Sequence, residues 1–316
     1  MIHNGTHHGL RPKDYHAWAF DPKNPGDGPL STSLLKRYVA LGPPRFLASL
    51  SEERKPSAAM AWGSLVDCLL FTPEFQSEEF VEKESNPHLS SDGVARTKKA
   101  REWVAEKEAE GSRLISVKDY AKAAIAVAQI QQPPVSARLL EGAQTQVAAV
   151  HSAGFKYSVG PETAKGKERS GIPVKGLIDI VCADGESLGD LKTTGVNLYS
   201  DDELSRQVGR FGYHVQAAMY LYLWNKATGE DRTAFKIIWQ SSAPPYEVRV
   251  TEIDNLSLDA GRAYVQFHLP RMIRDCKDRS SLQWSSTFAH AETTLPMHSP
   301  SVFAEEATAE LLTGLE

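Results

Sequence analysis

The sequence has little cysteine and no long apolar run. Its three cysteines, Cys68, Cys182 and Cys276, lie far apart and form no C-x-x-C pair. This spacing argues against a disulfide framework and against a zinc site of the usual kind, and it favours a reducing cytoplasm. No stretch approaches the roughly 18 apolar residues of a membrane-spanning helix. The first residues also lack the apolar core of a signal peptide, so neither secretion nor membrane association is expected.

An excess of basic charge is also missing. The formal net charge is −5 over 316 residues, so any nucleic-acid contact must come from a local basic groove rather than from the whole surface. The sequence contains no G-x-G-x-x-G after a strand, no G-x-x-x-x-G-K-[ST] and no H-E-x-x-H. These absences argue against a dinucleotide enzyme, a P-loop enzyme and a zinc protease.

What is present is a change of character along the chain. Helical periodicity dominates residues 30–142, whereas alternating, valine-rich strands separated by helices dominate residues 143–284. We therefore predict an α/β (α+β) domain over residues 30–284, with a flexible segment at 1–29 and a polar, acidic tail at 285–316. The predicted strands include a pair within 145–159, and one long helix is predicted at about 201–227.

The strongest chemical pattern is G-D-L-K at residues 189–192. Side chains alternate along a strand, so Asp190 and Lys192 project to one face and Leu191 to the other. If the preceding strand forms a hairpin with this one, Asp179 comes alongside Asp190. Two converging carboxylates repel unless a cation lies between them, and their hard oxygens suit Mg²⁺, for which Mn²⁺ can substitute. A salt-bridged network at a strand end is the alternative.

The helix that follows carries an unusual stripe of hydrogen-bonding groups at 3,4-spacing. The stripe comprises Arg206, Gly209, Tyr213, Gln216 and Tyr220. A helix that served only the core would have aliphatic residues there, although an amphipathic aromatic stripe is the alternative. A neighbouring ridge of Arg206, Arg210 and His214 could contact phosphate, or it could form a solvated face.

Three segments together resemble the active-site motifs of the PD-(D/E)XK nuclease superfamily in its RecB-like branch. They are G-L-I-D (176–179), G-D-L-K-T-T (189–194) and Q-A-A-M-Y (216–220). Residues 31–75 further resemble the N-terminal part of RecE-type exonucleases, which are similar to phage lambda exonuclease. The resemblance covers roughly residues 30–270. It implies a central mixed sheet flanked by helices, which is a restriction-endonuclease-like core, together with a helical N-terminal region.

The resemblance also implies a role for each motif residue. Asp179 and Asp190 would hold Mg²⁺ together with the Leu191 carbonyl, and Lys192 would position or activate the attacking water. Gln216 would fix Lys192 or the scissile phosphate, and Tyr220 would buttress the helix against the sheet.

The sequence departs from the family pattern at two positions. Asp67 stands where the RecE-like pattern has a histidine, so it is either a changed metal ligand or a helix residue with another partner. The family often has a glutamate before the first strand. Here Glu141 and Gln146 are the nearest candidates, and the sequence leaves open which of them, if either, reaches the metal.

The implied activity is 5′-to-3′ digestion of linear duplex DNA to mononucleotides, which leaves 3′ overhangs for recombination in a bacterial or phage-infected cell. Implied partners are DNA ends, further copies of the chain in a ring (a trimer favoured, a tetramer possible) and a single-strand annealing protein. Ser33, Lys36 and Arg37 are candidates for gripping a 5′ phosphate, although a helix start has the same pattern. An endonuclease, a single-strand nuclease and an inactive DNA-binding module remain alternatives.

Overall fold

A computed structural model shows how these segments are arranged. The structure describes residues 3–21, 28–50, 57–86, 88–90, 94–132, 134–159 and 167–277. The acidic tail predicted at 285–316 lies outside the described residues.

Six strands form one mixed sheet in the order β1-β4-β5-β6-β7-β8. The β6–β7 pair is parallel, and the other neighbours are antiparallel. A separate pair of short parallel strands, β2 and β3, lies outside this sheet. The strands are β1 (Gly5–His7), β2 (Phe80–Glu82), β3 (Arg113–Ile115), β4 (Gln144–Val159), β5 (Lys167–Val181), β6 (Ser187–Thr194), β7 (Ala234–Ser241) and β8 (Val248–Glu252).

Helices cover both faces of the six-stranded sheet. One face packs against α2, α3, α10 and α11, and the other packs against α4, α7 and α8. This arrangement confirms the predicted mixed sheet flanked by helices. The helices are α1 (Pro12–Ala17), α2 (Thr32–Leu41), α3 (Pro43–Ser49), α4 (Ala58–Phe71), α5 (Gln76–Glu79), α6 (Lys98–Ala109), α7 (Val117–Gln131), α8 (Pro134–Leu140), α9 (Asp201–Phe211), α10 (Tyr213–Thr228) and α11 (Asn255–Lys277).

The prediction of two strands within residues 145–159 is wrong. The segment is a single long strand, β4, that pairs with β5 along its whole length. The register shifts between His151 and Phe155, so the irregular Ser-Ala-Gly stretch is accommodated as a bulge rather than as a turn.

The N-terminal segment is not a free arm over its described residues. β1 adds an edge strand to the sheet by pairing Gly5–His7 with β4. The Tyr15 side chain of α1 is buried. A flexible segment is predicted for these residues because the polar sequence gives no sign of the sheet edge on which they pack.

The helix predicted at 201–227 is broken at Gly212. This glycine adopts a left-handed conformation (φ 61°), ends α9 and starts α10. A residue with a side chain would be strained there. The break separates Arg206 and Gly209 from Gln216 and Tyr220, so the predicted single stripe is wrong in its first half.

None of the described helices combines the length and the apolar composition that crossing a bilayer requires.

Candidate active site

The cleft opens where strands β5 and β6 part. Their recorded register pairs Ile180 with Gly189 and Val181 with Leu188, next to the turn that joins the two strands. Two residues further along β6, the Leu191 backbone N–H donates to the Asp179 side chain (Oδ2, 3.0 Å). The Asp179 carboxylate therefore takes the hydrogen bond that would have continued the regular pairing of β5 with β6.

Asp190 and Lys192 lie together on β6, as predicted from strand alternation. They form an ion pair, and the Asp190 side chain is almost fully buried. On the opposite side of Asp190, Gln216 of α10 donates from Nε2 to Oδ1 at 2.7 Å. Leu191 points the other way and joins the core on the α4 face. Strand β6 thus carries a charged pair on one face and an apolar anchor on the other.

A third carboxylate, that of Asp67, reaches the cleft from helix α4. Gln146 Nε2 donates to both oxygens of Asp67 (3.2 Å each) and to Asp179 Oδ1 (3.3 Å). Gln146 itself has a positive φ of 49°, which is uncommon for a residue with a side chain. The register of β4 and β5 passes from Thr145–Ile180 to Val147–Ile178, and Gln146 lies between these pairs. Backbone strain at this position accompanies an amide that contacts two partly buried carboxylates.

The carboxylates on the Gln146 side resist ionisation in the metal-free protein. Burial raises the pKa of Asp67 to about 7, and the nearby charge of Asp190 adds to the rise. Burial also raises the pKa of Asp179 well above its ordinary value, with contributions from Asp190 and Asp67. Since a low-dielectric site disfavours adjacent negative charges, this cluster would be relieved by a positive ion.

Lys192 is held in its charged form. Burial alone would lower its pKa, but the charges of Asp190 and Asp179 and the hydrogen bond to Asp190 outweigh burial and raise the pKa above its ordinary value. The ammonium also lies 5.0 Å from the centre of the Tyr213 ring. In this state the residue is a proton donor and a fixed positive charge, not a base.

Close packing explains the glycine of the G-L-I-D motif and the tyrosine of Q-A-A-M-Y. A Cβ added at Gly176 would lie 2.9 Å from the Tyr220 ring and 3.2 Å from Leu223. Tyr220 is thus packed directly on β5, which supports its predicted role as a buttress. The same helix carries Gln216 one turn earlier, so the packing of Tyr220 also sets the position of the Asp190 partner.

At the Asp190 end of the cleft, helix α2 contributes two of the residues predicted to grip phosphate. Ser33 and Lys36 both line the cleft, which has a volume of about 1000 Å³. The Lys36 ammonium donates to the Phe211 carbonyl at 2.9 Å and lies 5.7 Å from the Tyr213 ring. Burial and, to a smaller extent, the positive charge of Lys192 together lower the pKa of Lys36 to about 8.

Several other predicted residues do not reach the cleft. Glu141 is exposed at the turn after α8, so the structure favours Gln146 at the position left open between them. Arg37 donates to the Ser49 carbonyl and ties α2 to α3. The predicted phosphate ridge lies outside the cleft lining: Arg206 pairs with Asp202, Arg210 lies over the Phe211 ring, and His214 contacts the Val208 carbonyl. Helix α9 instead lines the cleft through Gln207 and Phe211.

Sequence reasoning missed a cation at the opposite end of the cleft. Arg113 of β3 lines the cleft, and its charge lowers the pKa of both Asp67 and Glu79 against the effect of their burial. Its guanidinium lies 5.6 Å from the Phe80 ring, and it forms no ion pair with a described residue. Nothing in the sequence marks Arg113, because it reaches the site through a three-residue strand far from every motif.

The donor set fits a hard divalent cation. In the part of the chain that the structure describes, no three His, Cys, Asp or Glu side chains form a closed metal cage. The oxygens of Asp67 and Asp179 accept hydrogen bonds from Gln146, and Asp190 forms an ion pair with Lys192. Asp67, Asp179 and Asp190 are nevertheless oxygen ligands around one cleft, and two of them have raised pKa values. Hard oxygens of this kind suit Mg²⁺ or Mn²⁺ better than zinc.

This geometry agrees with a comparison against protein families. A family model described as a PDDEXK-like domain of unknown function (DUF3799) matches residues 31–283. The chain belongs to this family. The predicted membership of the PD-(D/E)XK superfamily is thereby confirmed, and with it the class of enzyme, a nuclease.

Solved structures show the same fold at low identity. A protein of Eubacterium rectale, named for a proposed exonuclease activity, is 18% identical over 92% of this chain and 96% of its own, with a TM-score of 0.56. The alkaline exonuclease LHK-Exo of Laribacter hongkongensis is 14% identical over 68% of this chain and 100% of its own, with a TM-score of 0.22. The first likeness shows a shared fold, and the second is too weak to support an argument. A comparison with curated proteins finds no match.

Proposed function

We propose that this PDDEXK-like protein is a Mg²⁺-dependent exonuclease that hydrolyses linear double-stranded DNA from its ends. The observation that carries the proposal is the Asp190–Lys192 ion pair, with its aspartate almost fully buried, beside Asp179 at the point where β5 and β6 part. A merely structural ion pair has no need of two further carboxylates that burial keeps from ionising. The intact group also argues against an inactive DNA-binding module.

Each residue of the cleft has a distinct task in this proposal. Asp179 and Asp190, with the Leu191 carbonyl, would hold Mg²⁺. The ion would supply Lewis acidity and charge neutralisation at the scissile phosphate. Lys192, charged and fixed by Asp190, would orient the attacking water and stabilise the additional negative charge on the phosphate. Gln216 would keep Asp190 in position, and Tyr220 would hold Gln216 by packing on Gly176.

Cations at both ends of the cleft support a nucleic-acid substrate. Lys36 lies near Asp190 and Lys192, whose charges both affect its pKa. Arg113 lies near Asp67 and lowers the pKa of that carboxyl. A chain of phosphates laid across the carboxylates would therefore meet a positive charge on either side. Ser33 at the start of α2 is placed to donate a hydrogen bond to the same backbone. The protein needs no overall basic charge for this contact.

The finer features of the proposal come from the RecE-like and lambda-exonuclease-like resemblance. They are 5′-to-3′ polarity, mononucleotide products, 3′ overhangs for recombination, a homo-oligomeric ring and cooperation with a single-strand annealing protein. The Eubacterium rectale protein, which is similar in fold, is named as an exonuclease, and that name supports attack at DNA ends. A ring that encloses the duplex would keep the enzyme on its substrate between cuts, with a trimer favoured and a tetramer as the alternative.

The deciding experiment follows the products from duplexes labelled at either the 5′ or the 3′ end, with and without Mg²⁺. We expect Mg²⁺-dependent release of mononucleotides from the 5′ end of linear DNA and none from covalently closed circles. Lys192→Ala should lose roughly 10²–10³-fold in rate, because it removes a fixed charge at the reacting phosphate. Degradation of circles would instead identify an endonuclease.

Lys236→Ala is the matched control. Lys236 lies on the neighbouring strand β7, outside the cleft, and faces Asp184 at 3.5 Å. It should keep the wild-type rate. If the wild-type protein and the Lys192→Ala variant released equal background amounts of nucleotide, the inactive DNA-binding module would replace the nuclease proposal.

A further inference from the structure

The most unusual residue in the cleft is Gln146. Its side chain is buried, yet its backbone has the positive φ of 49° that residues with side chains rarely adopt. Strain of this kind persists only where the surrounding structure imposes it, and it is concentrated at functional sites. Neighbouring Gln144, on the same strand, is exposed and lies outside the cleft. The strain is therefore specific to the position whose side chain enters the carboxylate cluster.

The Gln146 amide joins two carboxylates that would otherwise repel each other. Its nitrogen donates to both oxygens of Asp67 and to one oxygen of Asp179, at 3.2–3.3 Å. Within the described part of the chain, no other side chain donates a hydrogen bond to Asp67. The amide nitrogen thus takes the place between the carboxylates that a cation would take.

An amide differs from a carboxylate because it carries a donor and an acceptor on one carbon. Rotation by about 180° around the terminal bond exchanges the two groups without moving the rest of the side chain. Glutamine can therefore donate to carboxylates through nitrogen in one state and coordinate a hard cation through oxygen in another. Glutamate could donate only after taking up a proton, and methionine cannot donate at all.

The charge balance also favours a neutral residue here. Asp67, Asp179 and Asp190 carry three formal negative charges when ionised, and Lys192 carries one positive charge. One divalent cation neutralises the remainder. A glutamate at 146 would add an uncompensated charge to a buried site, which is costly without a second cation.

We propose that Gln146 is a reversible member of the metal site, which binds Asp67 and Asp179 through its amide nitrogen when the site is metal-free and turns its amide oxygen to the cation when metal binds. This proposal rests on the proposed metal-dependent nuclease function. It assigns to one neutral side chain both the stability of the metal-free cluster and part of the metal affinity.

The test measures Mn²⁺ binding and metal-free stability rather than activity. Free Mn²⁺ is followed by electron paramagnetic resonance during titration, and melting is recorded in EDTA. Gln146→Met, which can neither donate nor coordinate, should weaken Mn²⁺ binding about 10-fold or more and lower the melting temperature in EDTA. Gln146→Glu should lower the melting temperature in EDTA yet bind Mn²⁺ more tightly than the wild type.

Two further variants keep the outcome clear. Gln144→Met is the matched control and should match the wild type in both measurements. Gln146→Gly removes the side chain while relieving the positive-φ strain, so it should fold even if Gln146→Met does not, and it should still bind Mn²⁺ more weakly. Wild-type Mn²⁺ affinity in Gln146→Met, or in Gln146→Gly if the former does not fold, would overturn the proposal. An unchanged melting temperature of Gln146→Met in EDTA would overturn it as well.

The proposed nuclease function fails in a different way. If the wild-type protein itself bound no Mn²⁺ and released no nucleotide, that function would be wrong, and this inference would fall with it. If the wild type bound Mn²⁺ and degraded DNA while the position-146 variants bound equally well, only the assignment of Gln146 would be wrong.

Discussion

The carboxylate cluster has two halves that are held in different ways. Asp179, Asp190 and Lys192 form a strand-borne half, placed by two adjacent strands and fixed by the Leu191 N–H and by Gln216. Asp67 forms a helix-borne half, which reaches the cleft from α4 and is tied to the sheet through Gln146. Strand alternation sets the first half within a few residues, whereas the second depends on how a helix packs. The second half is also where this sequence departs from the RecE-like pattern, which has a histidine in place of Asp67.

The largest expected effect separates the two halves by activity. Asp190→Asn should lower kcat by roughly 10²–10³-fold, since it weakens a direct metal ligand and the partner of Lys192. Asp67→Asn should cost about 10- to 100-fold, the size typical of groups that support a metal site from its edge. Rates on a linear duplex at saturating Mg²⁺ measure both.

Asp184→Asn provides the comparison for a change of charge alone. Asp184 lies in the β5–β6 turn, where it accepts hydrogen bonds from the backbone N–H groups of Glu186 and Ser187 (2.9 and 2.8 Å). It should leave kcat unchanged. Equal losses in Asp67→Asn and Asp190→Asn would show that the two halves are one functional unit and would remove the distinction.

The same contrast determines what could be predicted from the sequence. Asp190, Lys192 and the hairpin with Asp179 follow from strand alternation and a short turn, so their positions were predictable. Gln216 and Tyr220 followed from helical spacing within a single helix. Each of these inferences uses only residues that are close in sequence, where local geometry decides the outcome.

The features that sequence analysis missed are set by contacts between residues that lie far apart in the chain. The positive φ of Gln146, the left-handed break at Gly212 and the approach of Arg113 depend on packing between segments that are far apart in the chain. The predicted ridge of Arg206, Arg210 and His214 lies outside the cleft lining, and its contact with phosphate stays a prediction. The packing of β1 against β4 could not be predicted for the same reason, since no local pattern marks a sheet edge.

A second prediction uses pH to examine the helix-borne half without metal. The pKa of Asp67 is raised to about 7, so the folded protein binds more protons than the unfolded chain between the ordinary aspartate pKa and about 7. Stability in EDTA should therefore fall as the pH rises from about 5 to about 7, by an amount on the order of a few kcal/mol. Melting temperatures across this range measure the decline.

The source of the decline can be checked with two variants and with metal. Asp67→Asn should reduce the pH dependence, because its amide does not ionise, and the part that remains should come from Asp179, whose pKa is also raised. Asp184→Asn should retain it, since the pKa of Asp184 is lowered to about 2, well below the range measured: burial opposes this shift, but backbone hydrogen bonds from Ser187 and Glu186 outweigh it. Adding Mg²⁺ should reduce the decline, because the cation competes with protons for the same oxygens. An unchanged slope in Asp67→Asn would place the titrating group elsewhere.

The smallest expected effect compares the close packing behind each half. Gly176→Ala would place a Cβ 2.9 Å from the Tyr220 ring, and Gly63→Ala would place one 3.0 Å from Thr193 Oγ1. The Tyr220 ring packs on β5 and lies 6.3 Å from the Phe235 ring, so it has less room to move than a hydroxyl, and Gly176→Ala should destabilise the fold by about 1–3 kcal/mol and shift Gln216 with it. The Thr193 hydroxyl can rotate away, and alanine favours a helix over glycine by up to about 1 kcal/mol, so Gly63→Ala should be nearly neutral.

Urea unfolding measures both changes, and Gly209→Ala, with open space around it, is the reference for the helical gain. If Gly63→Ala proved the more damaging, α4 rather than α10 would be the element whose packing the cleft tolerates least, and the helix-borne half would be the more rigid of the two.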